Sequence, residues 1–394
     1  MSFPSAGARD VLFTFTFETW TDAVGRGMAR PPDRLALTLL DHPGVRRLVV
    51  ADPPRSAPRR VAKRLLGRHD APFPADADRA LVQPVTWRGV DPVEVAGLER
   101  QGRAYDRSLA EAARKRGMRD VAVITASPFA AGYSSFSWAA GTTYYARDDW
   151  TALPARRAWW PALRESYARL RASGRPVVAV SQAILDRIEP TGEAVVVPNG
   201  VEPAEWIGPT PDAPPWLADI PHPRALYVGT LDSRLDVPGL RELASRRPDL
   251  HIVLLGVVGD ADAIAPLHGV PNIHMLPPTD RAGLVAAVRS SDLCLVSHAR
   301  TALTEAMSPL KIYEYLAGGA PVLSIDLAPV RNIDPRVLLT DTTAQFADRL
   351  DEALALGRAT EDERLAFVAD NSWRSRHERI LEVAFRAQPV RTVA

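Results

Sequence analysis

Short apolar runs alternate with helical patterns along almost the whole chain. In the first half these runs occupy 11–17, 45–53, 121–128, 141–149, 175–182 and 193–201, and in the second half 224–232, 251–259, 272–278, 292–298 and 321–326. Their lengths and flanking turn residues predict buried strands. The segments 31–42, 94–117 and 360–388 have helical patterns. This alternation predicts an α/β protein with parallel sheets.

The length of the chain and one proline-rich stretch predict two domains. At 394 residues the chain exceeds the usual size of a single hydrophobic core. Seven prolines fall between Glu202 and Pro223, where a connector is expected. We therefore predict a first domain at 1–201, a linker at 202–223, a second domain at 224–360 and a final helical segment at 361–394. In doubly wound parallel sheets, ligands bind at the carboxyl ends of the strands.

The composition predicts a soluble, cytoplasmic protein. Hydrophobic residues make up 46% of the chain and charged residues 24%, which is ordinary for a globular protein. No apolar run reaches the roughly 18 residues of a transmembrane helix, and the N-terminus lacks the pattern of a secretory signal. The single cysteine, Cys294, lies in an apolar run and is expected to be a buried thiol.

Charge is unevenly distributed between the two halves of the chain. The net charge is +1, but residues 1–190 carry +9 and residues 191–394 carry −8. A basic half suggests an anionic surface or an anionic acceptor. The acidic half argues against general nucleic-acid binding, so no nucleic-acid partner is expected.

The segment 308–326 carries the strongest functional signal. Ser308-Pro309 is a helix-start pattern, and Gly318-Gly319 ends that helix before a short apolar strand. Lys311 and Glu314 stand three residues apart near the helix start, and therefore on one face. Lys311 is the only lysine after residue 115 in a chain with three lysines. An ammonium beside a helix N-terminus favours a diphosphate, although a solvated lysine would have the same spacing.

The sequence SPLKIYEYLAGGAPV (308–322) resembles the nucleotide-sugar motif of GT-B glycosyltransferases of the family-4 type. It is most similar to those that build surface polysaccharides such as teichuronic acid, and the likeness extends more loosely across most of the chain. The resemblance implies two Rossmann-like, doubly wound parallel-sheet domains facing a cleft. It also implies that Lys311 contacts the donor diphosphate, that Glu314 holds the ribose hydroxyls and that 361–394 packs back on the first domain. Ser308 and Leu310 belong to the same predicted donor site.

Two further segments match donor-binding positions of that family. Gly229-Thr230 follows the first strand of the second domain, where the family places a turn against the donor phosphates; a tight strand-to-helix turn is the alternative. Met275 and Leu276 lie in the strand end beside the nucleobase, which backbone groups contact. His274 in the same run is expected to be a core or interface histidine.

The loop before the motif departs from the family. Retaining relatives often have two glutamates separated by seven residues, and the first contacts the donor sugar. Here that position is Ala306, and Glu305 stands one place early. Either Glu305 substitutes through a shifted loop, or backbone amides and Thr304 take over the contact. Retention of the anomeric configuration is expected on resemblance alone.

Candidate acceptor residues lie in the first half. Asp148 and Asp149 end a predicted strand beside Trp150, so the carboxylates could orient acceptor hydroxyls while the indole stacks on a sugar. Asp149 is the preferred general base, with a helix N-cap as its alternative role. Glu18 and Trp20 follow the first strand and could also bind acceptor, although a capped loop is an equal alternative.

Two basic and aromatic segments suggest contact with an anionic membrane surface. They are 55–68 and 156–175, and arginine-rich solvated helices are the alternative for each. No metal is expected. Asp260-Ala-Asp262 resembles a metal-binding motif of another glycosyltransferase fold, but its place after an apolar strand predicts a surface turn, and no His/Cys cluster has metal-ligand spacing.

The leading hypothesis is a metal-independent hexosyltransferase that takes a sugar from a UDP or dTDP donor. The acceptor would be a glycan, a lipid-linked molecule or a small molecule, in surface polysaccharide synthesis or natural product glycosylation. A nucleotide-sugar 2-epimerase of the same architecture is one alternative, but no acid/base set for it is apparent. An inactive sugar-nucleotide-binding partner subunit is another, and Ala306 is the residue that favours it.

Overall fold

The computed structural model describes residues 8–67 and 69–387, which form two compact α/β units. The first unit comprises residues up to Pro198 together with those from Arg376 onward, and the second runs from Asn199 to Ser375. Each unit is built around one parallel sheet, of seven and six strands respectively. The predicted fold class, two doubly wound parallel-sheet domains, is confirmed.

The first strand of the first unit lies in the interior of its sheet, with further strands on both sides. Its strands are β1 (Arg9–Thr14), β2 (Val45–Ala51), β3 (Arg55–Ser56), β4 (Arg79–Val82), β5 (Val85–Thr86), β6 (Ala122–Thr125), β7 (Gly141–Ala146), β8 (Val177–Ala179) and β9 (Ala194–Val196). Its helices are α1 (Trp20–Gly25), α2 (Pro31–Asp41), α3 (Ala57–Leu65), α4 (Val95–Lys115), α5 (Pro128–Tyr133), α6 (Trp160–Ser173) and α7 (Gln182–Ile188). The main sheet has the order β4-β2-β1-β6-β7-β8-β9, and β3 pairs with β5 separately.

The second unit follows the same plan. Its helices are α8 (Pro203–Trp206), α9 (Pro215–Ala218), α10 (Val237–Arg246), α11 (Ala261–Ile264), α12 (Arg281–Ser290), α13 (Ala302–Ala306), α14 (Leu310–Ala317), α15 (Phe346–Leu356) and α16 (Glu361–Asp370). Its strands are β10 (Arg224–Val228), β11 (His251–Leu255), β12 (Ile273–Leu276), β13 (Leu293–Val296), β14 (Val322–Ile325) and β15 (Val337–Thr340), in the order β12-β11-β10-β13-β14-β15.

The proline-rich stretch at 202–223 is packed into the second unit. Trp206 and Leu217 are fully buried in its core. Arg364 of α16 donates to the carbonyl of Trp206 at 2.5 Å and to that of Ala317 at 3.0 Å. Pro203 and Pro215 begin short helices, where their fixed φ is suitable, so the stretch is not a free linker.

The final helical segment divides between the units. Helix α16 belongs to the second unit, and the last described helix, α17 (Trp373–Arg386), joins the first unit from Arg376 onward. There His377 Nδ1 lies 2.6 Å from Thr38 Oγ1 of α2. The sequence analysis did not predict β4 and β15. Both are edge strands of four residues, and their apolar runs, 80–82 and 337–339, are only three residues long, which is too short to be distinctive.

Replacing Trp206 should test whether the proline-rich stretch is structural. Trp206→Ala should lower the free energy of unfolding of the second unit by about 3–5 kcal/mol, because it leaves a cavity in a packed core. Urea denaturation, followed by hydrogen exchange at the β13 amides, would measure this. Trp87→Ala is the control, since Trp87 is 87% exposed and its loss should change stability by less than about 0.5 kcal/mol. Equal stability of the two variants would contradict the assignment.

Candidate functional site

The strand order of the second sheet reverses between β10 and β13. From β10 the chain proceeds to one side, and from β13 to the other, so the loops that follow these two strands diverge. Such a reversal is where open parallel sheets bind ligands. Backbone hydrogen bonds connect the two loops, from Asp236 N to Ser297 O at 2.9 Å and from Ala299 N to Arg234 O at 2.8 Å.

Gly229 follows β10 at this reversal. Its φ of +148° is unfavourable for any residue with a side chain. A Cβ atom placed on it would also lie only 3.0 Å from Lys311 Nζ. The predicted Gly229-Thr230 turn and the predicted Lys311 are therefore brought together, although 82 positions separate Gly229 from Lys311 in the sequence.

Lys311 is the second residue of α14, and its ammonium lies 3.6 Å from the centroid of the Tyr227 ring. Among the described residues, no carboxylate pairs with it; the nearby Asp232 is held by Arg234 at 2.7 Å. Burial, and after it the Arg234 guanidinium, hold the pKa of Lys311 well below its usual range, against the opposing effects of Asp232 and Glu314. A cation without a counter-charge at a helix N-terminus is suited to binding an anion.

Glu314 lies one turn further along α14 and is buried. Arg281 Nη1 donates to its Oε1 at 2.6 Å, and the other arm of Arg281 bonds Glu205. Among the described residues, none donates to Glu314 Oε2. Arg281 and Glu205 were not predicted, because they stand 33 and 76 positions from their partners and have no motif of their own.

Ser308 is held in place by Asn199. The Asn199 side-chain amide donates to the Ser308 carbonyl at 2.7 Å, and its backbone N–H lies 3.4 Å from Ser308 Oγ. Pro309 occupies the N-cap position, so Leu310 is the first helical residue. Gly319, with φ of +81°, supplies the left-handed conformation after the helix, as the Gly-Gly pair predicts.

His298 is a residue of this site that sequence reasoning did not select. It is 2% exposed, and its ring meets the Tyr227 ring edge-on with centroids 6.0 Å apart. Its Nδ1 lies 3.3 Å from the carbonyl of Arg234, and its Nε2 has no partner among the described residues. Burial, and then Lys311, lower its pKa well below the usual value, so the ring is neutral. Its position just after β13, at the carboxyl end of a predicted strand, was the sequence feature that could have identified it.

Glu305 and the predicted nucleobase residues occupy separate positions. Glu305 is about half exposed on α13 and lies 3.7 Å from Arg300, while Ala306 beside it is buried. Thr304 donates to the carbonyl of Ala299 at 2.7 Å and accepts from the backbone N–H of the N-cap Thr301 at 2.9 Å, so its hydroxyl is occupied. Met275 and Leu276 are half-buried in the edge strand β12, where His274 contacts His251.

In the first unit, Asp149 is a buried loop residue. Its Oδ1 accepts hydrogen bonds from the backbone and hydroxyl of Thr151, at 3.0 and 2.6 Å, and its Oδ2 lies 3.3 Å from Arg187. Together with the bond from Ala152 N to the Asp149 carbonyl at 3.1 Å, they make Asp149 part of a turn and not the N-cap of a helix, because the next helical segment has Leu153 as its N-cap. The general-base role stays a prediction. Asp148 is more exposed and pairs with Arg147 at 3.3 Å.

Trp150 and Trp20 are both buried, which does not suit stacking on a sugar. The Trp150 ring meets Phe17 edge-on and lies under Arg147. Trp20 donates from its indole to the carbonyl of Pro72 at 2.9 Å. Glu18 pairs with Arg30 at 2.7 Å and with Arg147 at 3.1 Å. Burial alone would raise the pKa of Glu18, but these two arginines lower it.

The two basic segments differ in how their charges are used. In 156–175, Arg169 pairs with Glu165, Arg171 pairs with Glu189, and Arg175 is buried against backbone carbonyls. This segment therefore offers fewer free cations than its sequence indicates. In 55–68, Arg68 lies outside the described residues, as do the side chains at 59, 60, 63 and 64.

No helix in the described part of the chain is both long and apolar enough to cross a membrane. Within residues 8–67 and 69–387, no group of three or more His, Cys, Asp or Glu side chains has the arrangement of a metal site. Asp260 caps α11 by accepting from Ala263 N at 3.1 Å, which is the surface-turn role predicted for it.

The lowered pKa of Lys311 predicts that the protein takes up protons when it binds an anion. Because burial lowers its pKa, the affinity for inorganic pyrophosphate should fall as pH rises through that lowered pKa, and binding near it should protonate the amine. Calorimetry in buffers of different ionisation enthalpy would measure the proton uptake. Lys311→Ala should abolish it, and Lys115→Ala, at an exposed helix end, should leave it unchanged. Proton-independent binding by the wild type would contradict this interpretation.

The comparisons with known proteins agree with this architecture. No protein-family profile matches the chain. Over 104 residues, which are 26% of each protein, it is 26% identical to a Bacillus subtilis (strain 168) protein that is named for a role as a teichuronic acid biosynthesis glycosyltransferase. The match thus spans about a quarter of that relative's length.

Solved structures match over nearly the whole chain. An α,α-trehalose-phosphate synthase (UDP-forming) from Burkholderia vietnamiensis superposes with a TM-score of 0.67 at 15% identity, over 96% of this chain and 98% of that one. A trehalose-6-phosphate protein from E. coli, bound with UDP-2-fluoro glucose, superposes with a TM-score of 0.64 at 13% identity, over 96% and 100%. With its two parallel-sheet α/β units and these neighbours, the chain has the fold of the GT-B glycosyltransferases.

Proposed function

We propose that the chain is a glycosyltransferase that moves a sugar from a nucleoside diphosphate, UDP or dTDP, to a hydroxyl of an acceptor. The observation that carries this proposal is the Lys311 ammonium, which lies at the reversal of the second sheet without a carboxylate partner in the described chain. A protein rarely leaves a partly buried cation uncompensated unless a ligand supplies the counter-charge.

In this proposal the second unit holds the donor. Lys311, the first turn of α14 and the Gly229-Thr230 turn receive the diphosphate, with Ser308 and Leu310 positioning that turn of helix. Glu314 accepts hydrogen bonds from the ribose hydroxyls through the oxygen that Arg281 does not hold. Backbone groups of Met275 and Leu276 face the base.

The chemistry required of these residues is charge stabilisation. As the bond between the sugar C1 and the diphosphate oxygen breaks, negative charge collects on the diphosphate. C1 then forms a bond with the acceptor oxygen, and the acceptor hydroxyl gives its proton to the departing diphosphate. Lys311 and the helix N-terminus stabilise the departing diphosphate without reorganising, and a metal ion is not needed for that step.

The relatives support the donor class. The Burkholderia neighbour is named as UDP-forming, and the E. coli neighbour was solved with UDP-2-fluoro glucose bound. The Bacillus relative is named for teichuronic acid synthesis, which supports a glycan or lipid-linked acceptor. We take UDP as the first donor nucleotide to test.

We further propose that α3 brings the protein to an anionic membrane surface. Leu65, Leu66 and Val61 on and beside this helix are 83%, 76% and 58% exposed, and Trp87, which follows β5, is 87% exposed. The sequence of 55–68 adds six Lys or Arg residues to these apolar side chains. Exposed leucine and tryptophan combined with basic residues are typical of interfacial helices.

Lys311→Ala should reduce sugar transfer by about 10²-fold or more, because it removes a cation that stabilises the leaving diphosphate.

Thermal unfolding of the purified protein with UDP, dTDP, GDP or ADP should also show that one nucleotide stabilises the wild type. Saturation at 100 times Kd adds about 2.7 kcal/mol to the folded state. That stabilisation should be lost in Lys311→Ala and kept in Lys115→Ala.

Two results would oppose the proposed function. Full transfer activity in Lys311→Ala would remove this residue from the mechanism. The absence of stabilisation by any of the four nucleotides, together with no donor hydrolysis, would favour a binding or scaffolding role for the fold.

The membrane contact has its own test. A Leu65→Asn/Leu66→Asn double variant should bind phosphatidylglycerol vesicles about 10-fold more weakly than the wild type, because both side chains lose apolar burial. Co-sedimentation would measure this, with Leu356→Asn, a partly exposed leucine of the second unit, as the control. Failure of the wild type to sediment with these vesicles would reject the contact.

A further inference from the structure

The first sheet has a strand-order reversal of its own, between β1 and β6. Residues that follow these strands line a pocket of about 220 Å³: Phe15, Thr16 and Phe17 after β1, and Ser127, Phe129 and Ala130 after β6. The pocket lies wholly within the first unit and contains none of the predicted acceptor residues. Its position is the one that a doubly wound sheet uses for ligands.

The wall of this pocket combines polar and apolar surface, and its apolar part is aromatic and aliphatic. Phe15, Phe17, Phe129, Trp159 and Leu98 contribute to it. An apolar cavity of about 150 Å³ can hold benzene, so about 220 Å³ is sufficient for one six-membered ring with small substituents. Aromatic walls favour a flat body or the apolar face of a ring.

Arg156 supplies an uncompensated positive charge to the pocket. Its guanidinium lies 4.1 Å from the centroid of the Phe17 ring and 5.5 Å from that of Trp159. No carboxylate pairs with it in the described part of the chain. Burial, and then the charges of Arg147 and Arg55, lower its pKa, while Glu18 opposes them. An arginine keeps its charge under such a shift, so the planar guanidinium is available to an incoming anion.

A second polar group at the pocket also lacks a partner. The Oε1 atom of Gln101, on α4, is buried and accepts no hydrogen bond from the described residues. A buried acceptor without a donor costs free energy that a ligand hydroxyl would recover. Gln101 and Arg156 both line this small volume, and each carries a polar group without a partner among the described residues.

The charges at the pocket favour a single negative charge on the ligand. The other lining arginine, Arg55, donates to the carbonyl of Phe17 at 2.7 Å and lies 3.5 Å from Asp22. The lining carboxylate, Asp91, is exposed. Arg156 is therefore the main source of uncompensated charge, which suits a carboxylate better than a doubly charged phosphate.

We propose that this pocket binds the acceptor through a six-membered ring that carries a carboxylate, received by Arg156, and a hydroxyl, received by Gln101. The description of this ligand as the acceptor rests on the proposed function, whereas the binding site itself does not. Two sources share this chemistry: a hexuronic acid and a hydroxybenzoate. The apolar wall accommodates either ring, and direct binding measurements distinguish them.

The test is calorimetric titration of the full chain with glucuronate and with 4-hydroxybenzoate. One of them should bind, and its neutral amide should bind about 10- to 100-fold more weakly, since a charge-assisted hydrogen bond is lost. Arg156→Ala should cause a similar loss and Arg156→Lys a smaller one. Arg157→Ala is the matched control; this neighbouring arginine is exposed, lies against Trp160 and should leave affinity within about 2-fold.

Gln101→Leu separates the two polar contacts. It should weaken binding of the hydroxylated ring and leave benzoate, which lacks the hydroxyl, unaffected. The inference is overturned if neither carboxylate binds at millimolar concentration, if the amides bind equally well, or if glucose 6-phosphate binds more tightly than both. UDP binding is measured on the same samples. UDP binding without carboxylate binding rejects this pocket assignment alone, and carboxylate binding without nucleotide binding rejects the proposed donor site instead.

Discussion

The parallel pairing of strands that starts in the middle of each sheet is the constraint on which the other features depend. Because β1 and β10 are central and later strands are added on both sides, each sheet has one place where neighbouring loops diverge. Parallel strands bring all their carboxyl ends to the same edge, so polar residues far apart in sequence meet there. At each reversal a cationic side chain lies against aromatic rings: Lys311 against Tyr227, and Arg156 against Phe17 and Trp159. Among the described residues, no carboxylate pairs with either cation.

The fold and the local structure around Lys311 were largely predictable from the sequence. Buried central strands have continuous apolar runs. The helix that carries Lys311 begins after Pro309 and ends at Gly318, and both residues are helix-boundary signals within the sequence of the helix itself. The Gly229-Thr230 turn was predicted from its place after a strand and from the family resemblance, and its role as a phosphate site stays a prediction. These features are encoded by neighbours in sequence, which is why periodicity and turn chemistry are sufficient for them.

Features that depend on distant contacts were not predictable. Whether Trp150 is exposed depends on Phe17 and Arg147, and whether Asp149 is a free carboxylate depends on Thr151 and Arg187. A tryptophan beside two aspartates has the same sequence pattern in a sugar site and in a packed loop. The pocket at Arg156 was invisible for the same reason, since its wall is assembled from five separate segments of chain. Arginine, which makes up 45 of the 48 basic residues, pairs with carboxylates or carbonyls at many positions, so charge alone does not reveal which one is available.

The division of the chain has a consequence for synthesis on the ribosome. The second unit is a continuous stretch, whereas the first is interrupted by it and includes residues of α17. Those residues cover α2, where His377 meets Thr38 and Glu378 meets His42. They leave the ribosome only after all of Asn199–Ser375 has been made. The second unit can therefore complete its core during translation. Part of the apolar surface of the first unit stays exposed to solvent until α17 has been synthesised.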